Sequence, residues 1–383
     1  MTPARKLIST VICCLFLILL LTACGISAQD REGKAGLQEA SLSGMELQYA
    51  EQFCVDYLDD GCALLTIAGT DRFLIVPEGC EPSAGLDSDI VIIRQPIRNI
   101  YLASSSAADL FVQLDALDSI RLTSTTAANW RLPEMQAAVE AGQILYTGKY
   151  SAPDLEQILS ERCGLVIENT MIYRSPEIKE KLEDLGLPVL VERSSYESHP
   201  LGRVEWIKVY GLLVGKTGEA DRFFGAQVQT LAGLKELEET GQTVAFFHIN
   251  SNGAAVVRKP GDYVSKMIEL AGGTYIFSDL GEDDNALSTV NMQMETFYAG
   301  AKDADILIYN STIDGEIDTL EELLEKNSLL ADFKAVRNGD VWCTEQNMFQ
   351  QTSAAAGMIS DINAIVTGDA DGLDHLTFLH RLN

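Results

Sequence analysis

Positive charge is scarce in this chain. Its 383 residues carry 28 Lys and Arg against 56 Asp and Glu, a net charge of −28 at pH 7. Such an acidic balance repels phosphate backbones, which excludes nucleic acid as a partner. Histidine is scarcer still, with His199, His248, His375 and His380 the only four. A bare zinc or manganese site wants several histidines beside carboxylates, and only His375 and His380 stand near each other, so no metal-ligand set is assigned. No GxSxG, HExxH or P-loop pattern occurs, so no catalytic residue is assigned and the chain reads as a non-enzyme. No CxxC occurs either. Beyond Cys24 five cysteines remain, Cys54, Cys62, Cys80, Cys163 and Cys343, and an odd number cannot all pair internally. Cys54, Cys62 and Cys80 are close enough in sequence for one bridge in an oxidising space. Cys163 and Cys343 read as small buried apolar residues beside strands. After residue 23 no apolar stretch is long enough to cross a bilayer.

The start of the chain supplies what the rest lacks. Arg5 and Lys6 precede an apolar run from Val11 to Leu21, followed by Thr22-Ala23-Cys24-Gly25. A basic start, a short apolar segment and small residues before a cut site make a secretory signal over residues 1–23. Leu21-Thr22-Ala23-Cys24 also resembles the lipobox of bacterial lipoproteins. In that family the cut falls before the cysteine, whose thiol is then acylated. The resemblance implies a mature chain beginning at Cys24 with lipid as its only covalent group, held on the extracytoplasmic face of the membrane. Acyl chains hold firmly because each buried methylene adds about 0.8 kcal/mol.

Residues 24–44 are small and polar, a tether. Residues 45–96 alternate short apolar runs, such as Cys62–Ile67 and Phe73–Pro77, with Gly and Asp, which predicts a small β-meander. From residue 97 the rhythm changes to buried strands (100–103, 165–167, 189–191) alternating with amphipathic helices (104–117, 176–185). Such alternation indicates a parallel sheet. A long helical stretch follows, and then the β/α rhythm restarts with strands at 244–247, 306–309 and 341–342. The expected fold is therefore α/β, with a lobe over 97–215, a bridging helix over 216–241, and a second lobe over 242–383. A faint repeat links the lobes. Pro153–Ile158 leads to Leu165–Thr170 as Met292–Phe297 leads to Ile306–Ser311, each passing through Glu, an apolar strand and an Asn exit. Two lobes with a cleft between them are a common place for a ligand.

The segments Pro153–Ile158 with Leu165–Ile167, Glu177–Val191 (EIKEKLEDLGLPVLV), Glu269–Phe277 (ELAGGTYIF) and Lys334–Trp342 (KAVRNGDVW) carry a resemblance over residues 97–366. They resemble the substrate-binding proteins of bacterial ABC importers for iron–siderophore complexes, haem and vitamin B12. Members of that family have two Rossmann-like α/β lobes bridged by one long helix; residues 45–96 depart from its simplest members. The resemblance implies a monomer that captures a metal chelate between its lobes and delivers it to an ABC permease and its ATPase. It also implies that one glutamate per lobe docks on permease arginines, at positions matched by Glu156 and Glu295. Fixed carboxylates far apart on one face select a partner of matching charge spacing.

Strand exits of both lobes should line the cleft. The candidate ligand contacts are Ser105, Asn169, Tyr173, Arg174, Arg203, Asn250, Arg258, Tyr263, Asn310, Gln346 and Phe349. Among so few cations, Arg258 stands out as a partner for an anionic ligand, or else as a salt bridge to a local acid. Polar exits and aromatics suit a bulky chelate with oxygen ligands, a ferric siderophore ahead of a corrinoid or haem, in a largely preformed site. A surface hydrolase or a non-transport receptor on the same scaffold is the alternative of another class.

Overall fold

A computed structural model describes residues 41–383 apart from 84, 235–238, 282–288, 371 and 373–374. The leader, Cys24 and most of the tether lie outside the described residues, as does part of the end expected for the bridging helix.

The chain first lays down a five-stranded sheet in the order β1 (Ser41–Gly44), β2 (Phe53–Leu58), β3 (Ala63–Ile67), β4 (Asp71–Val76) and β5 (Ile90–Arg94). The expected meander holds from β2 to β4, and β1 extends it antiparallel into residues 41–44, which were expected to be tether. β5 departs from it by pairing parallel to β4. Parallel neighbours need a crossover rather than a tight turn, and residues 77–89 supply it. Side-chain alternation splits the sheet's two faces. Phe53, Val55, Leu65, Ile67, Phe73 and Ile75 join the main core. Leu58, Leu64, Leu74 and Val76 close a small cluster around Cys62. Cys54, Cys62, Cys80, Cys163 and Cys343 are all free thiols, so the structure holds no bridge among them.

The second sheet is entirely parallel, in the order β12 (Val189–Glu192), β11 (Val166–Asn169), β6 (Ile100–Leu102), β7 (Ile120–Thr123), β8 (Leu145–Tyr146). A small antiparallel pair, β9 (Gly148–Lys149) and β10 (Ala152–Pro153), follows β8. Val189–Glu192 is buried at every position, as strands covered on both faces by helices should be. β6 enters at the centre, and later strands add on both of its sides. That reversal makes a switch point at the carboxyl ends of β6 and β11, where open α/β sheets leave a crevice.

The third sheet runs β16 (Thr289–Met292), β14 (Ala255–Arg258), β13 (Thr243–Ile249), β17 (Ile306–Tyr309), β18 (Val341–Thr344), β19 (Leu379–Arg381). Short β15 (Thr274–Tyr275) pairs beside the start of β13. The centre, β13-β17-β18, is parallel, while β14, β16 and β19 pair antiparallel at its flanks. The second and third sheets are the cores of the first and second lobes.

Between them the bridging helix expected over 216–241 is observed over Thr217–Leu234, and two shorter helices come before it. Pro200–Glu205 and Ile207–Val214 precede Thr217–Leu234. Gly215 turns left-handed (φ 74°) to end the second of these. Gly211 lets the last two cross closely, because a Cβ there would fall 2.7 Å from Ala220 Cβ and 2.9 Å from Lys216 O.

These helices also hold the first sheet in place. The Glu205 carboxylate accepts the backbone N–H groups of Gln48 (3.0 Å), Tyr49 (2.8 Å) and Ala50 (2.9 Å) and the Lys208 ammonium (2.9 Å). Glu197 accepts those of Glu51 (2.8 Å) and Gln52 (3.2 Å) and the Trp206 indole N–H (2.8 Å). Both glutamates are fully buried. A buried charge is tolerated when its lone pairs are filled, so the segment 46–52 is clamped by two carboxylates that its own amides satisfy.

Candidate functional site

The carboxyl ends of the second-sheet strands form the first rim of the site. Ser104 Oγ and Ser106 Oγ both donate to Glu192 Oε1, at 2.6 and 2.9 Å, and Ser194 N–H donates to Oε2 at 2.8 Å. Buried Glu192 thus ties the exit of β6 to the exit of β12 across β11. Ser105, half-buried, opens the helix Ser105–Gln113 between those serines. Asn169 ends β11 with its side-chain oxygen on Met171 N–H at 2.9 Å. Tyr173, 47% exposed, and Arg174 stand on the surface beyond it.

The second rim comes from the third sheet. Asn250 accepts the N–H groups of Asn252 (2.9 Å) and Ala254 (3.2 Å), folding the turn between β13 and β14. Asn310 ends β17 and accepts Thr312 N–H at 3.2 Å, leaving its buried Nδ2 without a partner. The asparagine exits expected to face ligand are therefore first of all turn formers, since an Asn side chain satisfies the amide two residues on. The repeat seen in the sequence has this physical content, because Asn169 and Asn310 close matching strands in the same way.

The rims meet at two arginines. Arg203, from Pro200–Glu205, lays its guanidinium over the Tyr263 ring at 4.0 Å. Arg258, at the end of β14, pairs with Asp262 at 3.2 Å and lies 5.5 Å above the Phe349 ring. Asp262 also caps the helix Tyr263–Leu270 through Val264 N–H at 2.8 Å. Burial pushes the Asp262 carboxyl up, while Arg258, the Val264 amide and Arg203 pull it back. The reading of Arg258 as a salt bridge to a local acid is thus realised. Arg203 has the spare capacity instead, because its Nε is buried without a partner. Gln346 is half-buried at the start of the loop that carries Phe349.

That loop crosses between the lobes. Gln350 accepts Arg131 N–H at 2.7 Å and donates to Asn129 O at 2.9 Å. Thr352 Oγ1 donates to Ser106 O at 2.8 Å, and Ser353 N–H to Asp109 at 2.7 Å. The cavity bounded by Arg203, Tyr263, Met348, Gln351 and Thr352 holds only about 10 Å³. A drug-sized ligand needs several hundred Å³, on the order of 300 or more. The expectation of a largely preformed site is therefore corrected at these residues, where the seam is shut by the 345–353 loop. Sequence reasoning missed Glu192, Gln350 and Thr352. A charged residue closing a buried parallel strand was the available signal for Glu192; the loop contacts left none.

Glu156 and Glu295 are exposed, and each is the second residue of its helix, Leu155–Ser160 and Met294–Ala301. These helices lead into β11 and β17, so the two carboxylates occupy equivalent places in the lobes.

Two parallel-centred lobes, joined through helices and meeting at strand exits, define a binding protein of the two-lobed α/β class. The chain belongs to the periplasmic binding protein family, whose model matches residues 100–347. Its fold is similar to a periplasmic haem-binding protein from Pseudomonas aeruginosa (TM-score 0.57, 16% identity, 75% of this chain and 98% of that one). It is also similar to an ABC-type Fe3+-hydroxamate transport system protein from Saccharomonospora viridis (TM-score 0.55, 21% identity, 71% and 93%). Among curated proteins it is similar to two uncharacterised lipoproteins of Methanocaldococcus jannaschii. One is 26% identical over 69% of this chain and 64% of its own length, so the match spans just under two thirds of that relative. The other is 25% identical over 93% of this chain and 91% of its own. No helix among the described residues is long and apolar enough to cross a membrane.

Proposed function

We propose that this chain is the lipid-anchored, extracytoplasmic binding component of an ABC importer. It captures a metal chelate between its lobes, a ferric siderophore ahead of haem or a corrinoid, and hands it as a monomer to the permease and ATPase. Cys24 carries the anchor, and Glu156 and Glu295 contact the permease. The family and the solved relatives support the class. The observation that carries the ligand reading is the pair of arginines at the seam, each against an aromatic ring, one with an unfilled buried donor. Cationic donors over aromatic faces suit an anionic complex with flat or aromatic ligand groups. Because the seam is shut at the 345–353 loop, capture includes an outward movement of that loop or of one lobe.

Titration of tryptophan fluorescence with ferric siderophores, haem, cobalamin and free divalent metals tests this reading, since buried Trp206 adjoins Arg203 by three residues. Micromolar or tighter binding of one anionic chelate is expected. Arg203→Ala should weaken it by about 1.5–3 kcal/mol, the worth of a charged hydrogen bond. A response to none of the chelates would overturn the ligand class, and an unchanged affinity in Arg203→Ala would move the site elsewhere.

A further inference from the structure

The last strand gathers side chains that the sequence leaves scattered. β19 runs antiparallel to β18 and sets His380 opposite Cys343. The chain enters β19 through a tight turn in which Leu376 N–H donates to Leu379 O at 2.7 Å. His375 and His380 face each other across that turn as an isolated bridge pair. Their ring centroids are 5.7 Å apart. Glu345, the first residue past β18, completes a triangle. Its Oε1 lies 2.9 Å from His380 Nδ1 and 4.0 Å from His375 Nδ1. One ligand atom from each of the three lies within 4.8 Å of the others. Glu316 sits against Glu345, carboxyl to carboxyl.

Three features make this more than a chance cluster. His380 Nε2 lies 2.8 Å from Ile317 O. A carbonyl only accepts, so that nitrogen donates, which turns Nδ1 toward the Glu345 carboxylate. A backbone carbonyl on the far nitrogen is how metal-ligating histidines have their tautomer and orientation fixed. Secondly, the ligands differ in mobility in a useful way. The His380 side chain is 3% exposed and held at both ring nitrogens, whereas that of His375 is 75% exposed. A cation can therefore enter from solvent beside a rigid ligand and be closed upon by a mobile one. Thirdly, the distances are near those required. Nitrogen and oxygen ligands at about 2.0–2.1 Å from zinc stand roughly 3.3 Å apart in a tetrahedron. A rotamer change at His375 of about 1–1.5 Å reaches that geometry. Two histidines and one carboxylate are a complete three-ligand set for such a metal, although four histidines in a whole chain look too few.

We propose that Glu345, His375 and His380 bind one divalent transition cation of the zinc class, with solvent in the fourth position. This site shares the 345–353 loop with the seam through Glu345 but includes neither arginine, and it takes a bare ion, not a chelate. It joins the end of β18, the turn before β19 and, through Ile317, the segment after β17.

Equilibrium dialysis of the full chain in detergent, without a histidine tag, against Zn²⁺ with metal analysis tests the proposal. A parallel titration with Co²⁺ reads the visible absorption of a four-coordinate centre. One equivalent per chain and a tetrahedral Co²⁺ spectrum are expected. His375→Ala, on an exposed side chain that the fold does not need, and Glu345→Gln should each weaken binding at least tenfold. Absence of stoichiometric binding, or binding unaltered in His375→Ala, would overturn it. The chelate reading fails separately: His375→Ala should leave chelate affinity within twofold, and Arg203→Ala should leave Zn²⁺ affinity unchanged.

Discussion

The first lobe and its connecting helices bury carboxylates in two contrasting ways. Glu205 and Glu197, on and just before the connecting helices, are each surrounded by donors, five backbone amides, an indole and an ammonium between them. Glu168, in the middle of β11, is equally inaccessible, yet both of its oxygens lack a partner. It lies on the same face as Tyr101, Val166 and Val191, by the register that pairs β11 with β6 and β12. The Tyr101 hydroxyl beside it is also unpartnered. At the clamp, donors repay the desolvation of a charge. Even there burial still pushes the Glu197 carboxyl up; at Glu168 only the Asn169 amide pulls back, and burial pushes its carboxyl up to about 8. The comparison teaches that burial alone does not decide what a carboxylate contributes; its partners do. One region uses charge to fasten a sheet to a lobe, and the other keeps an acid neutral within an apolar layer.

The largest effect should come from breaking the clamp. Glu205→Ala removes the acceptor of three amides and takes the carboxylate from the buried Lys208 ammonium, leaving it the Glu46 carbonyl. Leaving one partner of a buried pair uncompensated costs about 3–5 kcal/mol. Denaturant unfolding should show that loss, with the first sheet becoming sensitive to protease before the lobes. A loss below about 1 kcal/mol would mean that solvent already satisfies these groups.

Glu168 sharpens the other side. Its folded pKa is raised from 4.5 to about 8, so the folded chain binds more protons than the unfolded chain between those values. Stability contributed by this group is whole below about pH 4.5, falls as pH rises through the window and levels off above about 8. Glu168→Gln keeps the shape and cannot ionise, so its stability should lack this slope and exceed that of the wild type at pH 7 by about 2–3 kcal/mol. Unfolding free energies measured from pH 4 to 9 give the test. Equal slopes in both proteins would show that Glu168 is partnered in solution.

How much of this was legible in the sequence follows the range of the interactions. The runs 100–103, 189–191 and 306–309 read as buried strands because neighbouring residues are alike, and each lies within a residue of the observed strand. The parallel placement of β5 was not legible, since antiparallel and crossover returns leave the same apolar run. Nor was the clamp, whose acceptors lie 145 to 157 residues from the amides they bind. The site divides in the same way. Arg258, Tyr263 and Phe349 were named from their types near strand exits, and Arg203 from its type at a helix start. That Asp262 occupies Arg258 while Arg203 keeps a donor depends on side-chain directions that no spacing records. His375 and His380 were seen as a loose pair, and only folding brings Glu345 to them.

The smallest stability effect belongs to the exposed limit of the same series. Glu156 and Glu295 stand in solvent near helix starts, where a carboxylate gains little beyond a screened attraction to the helix dipole. Charge reversal of both to Arg should therefore change unfolding free energy by less than about 1 kcal/mol, since each loses only that term. Chelate affinity should be unchanged, because neither residue belongs to the seam. Uptake is where the pair should matter. Two carboxylates at equivalent places in two lobes present a fixed spacing to a partner, and reversing both replaces attraction with repulsion at each end. Transport measured in cells carrying the double variant should collapse while the purified protein still binds. If the double variant instead loses chelate binding with its fold intact, the two glutamates belong to ligand capture, and solvent-exposed carboxylates here do more than face a partner.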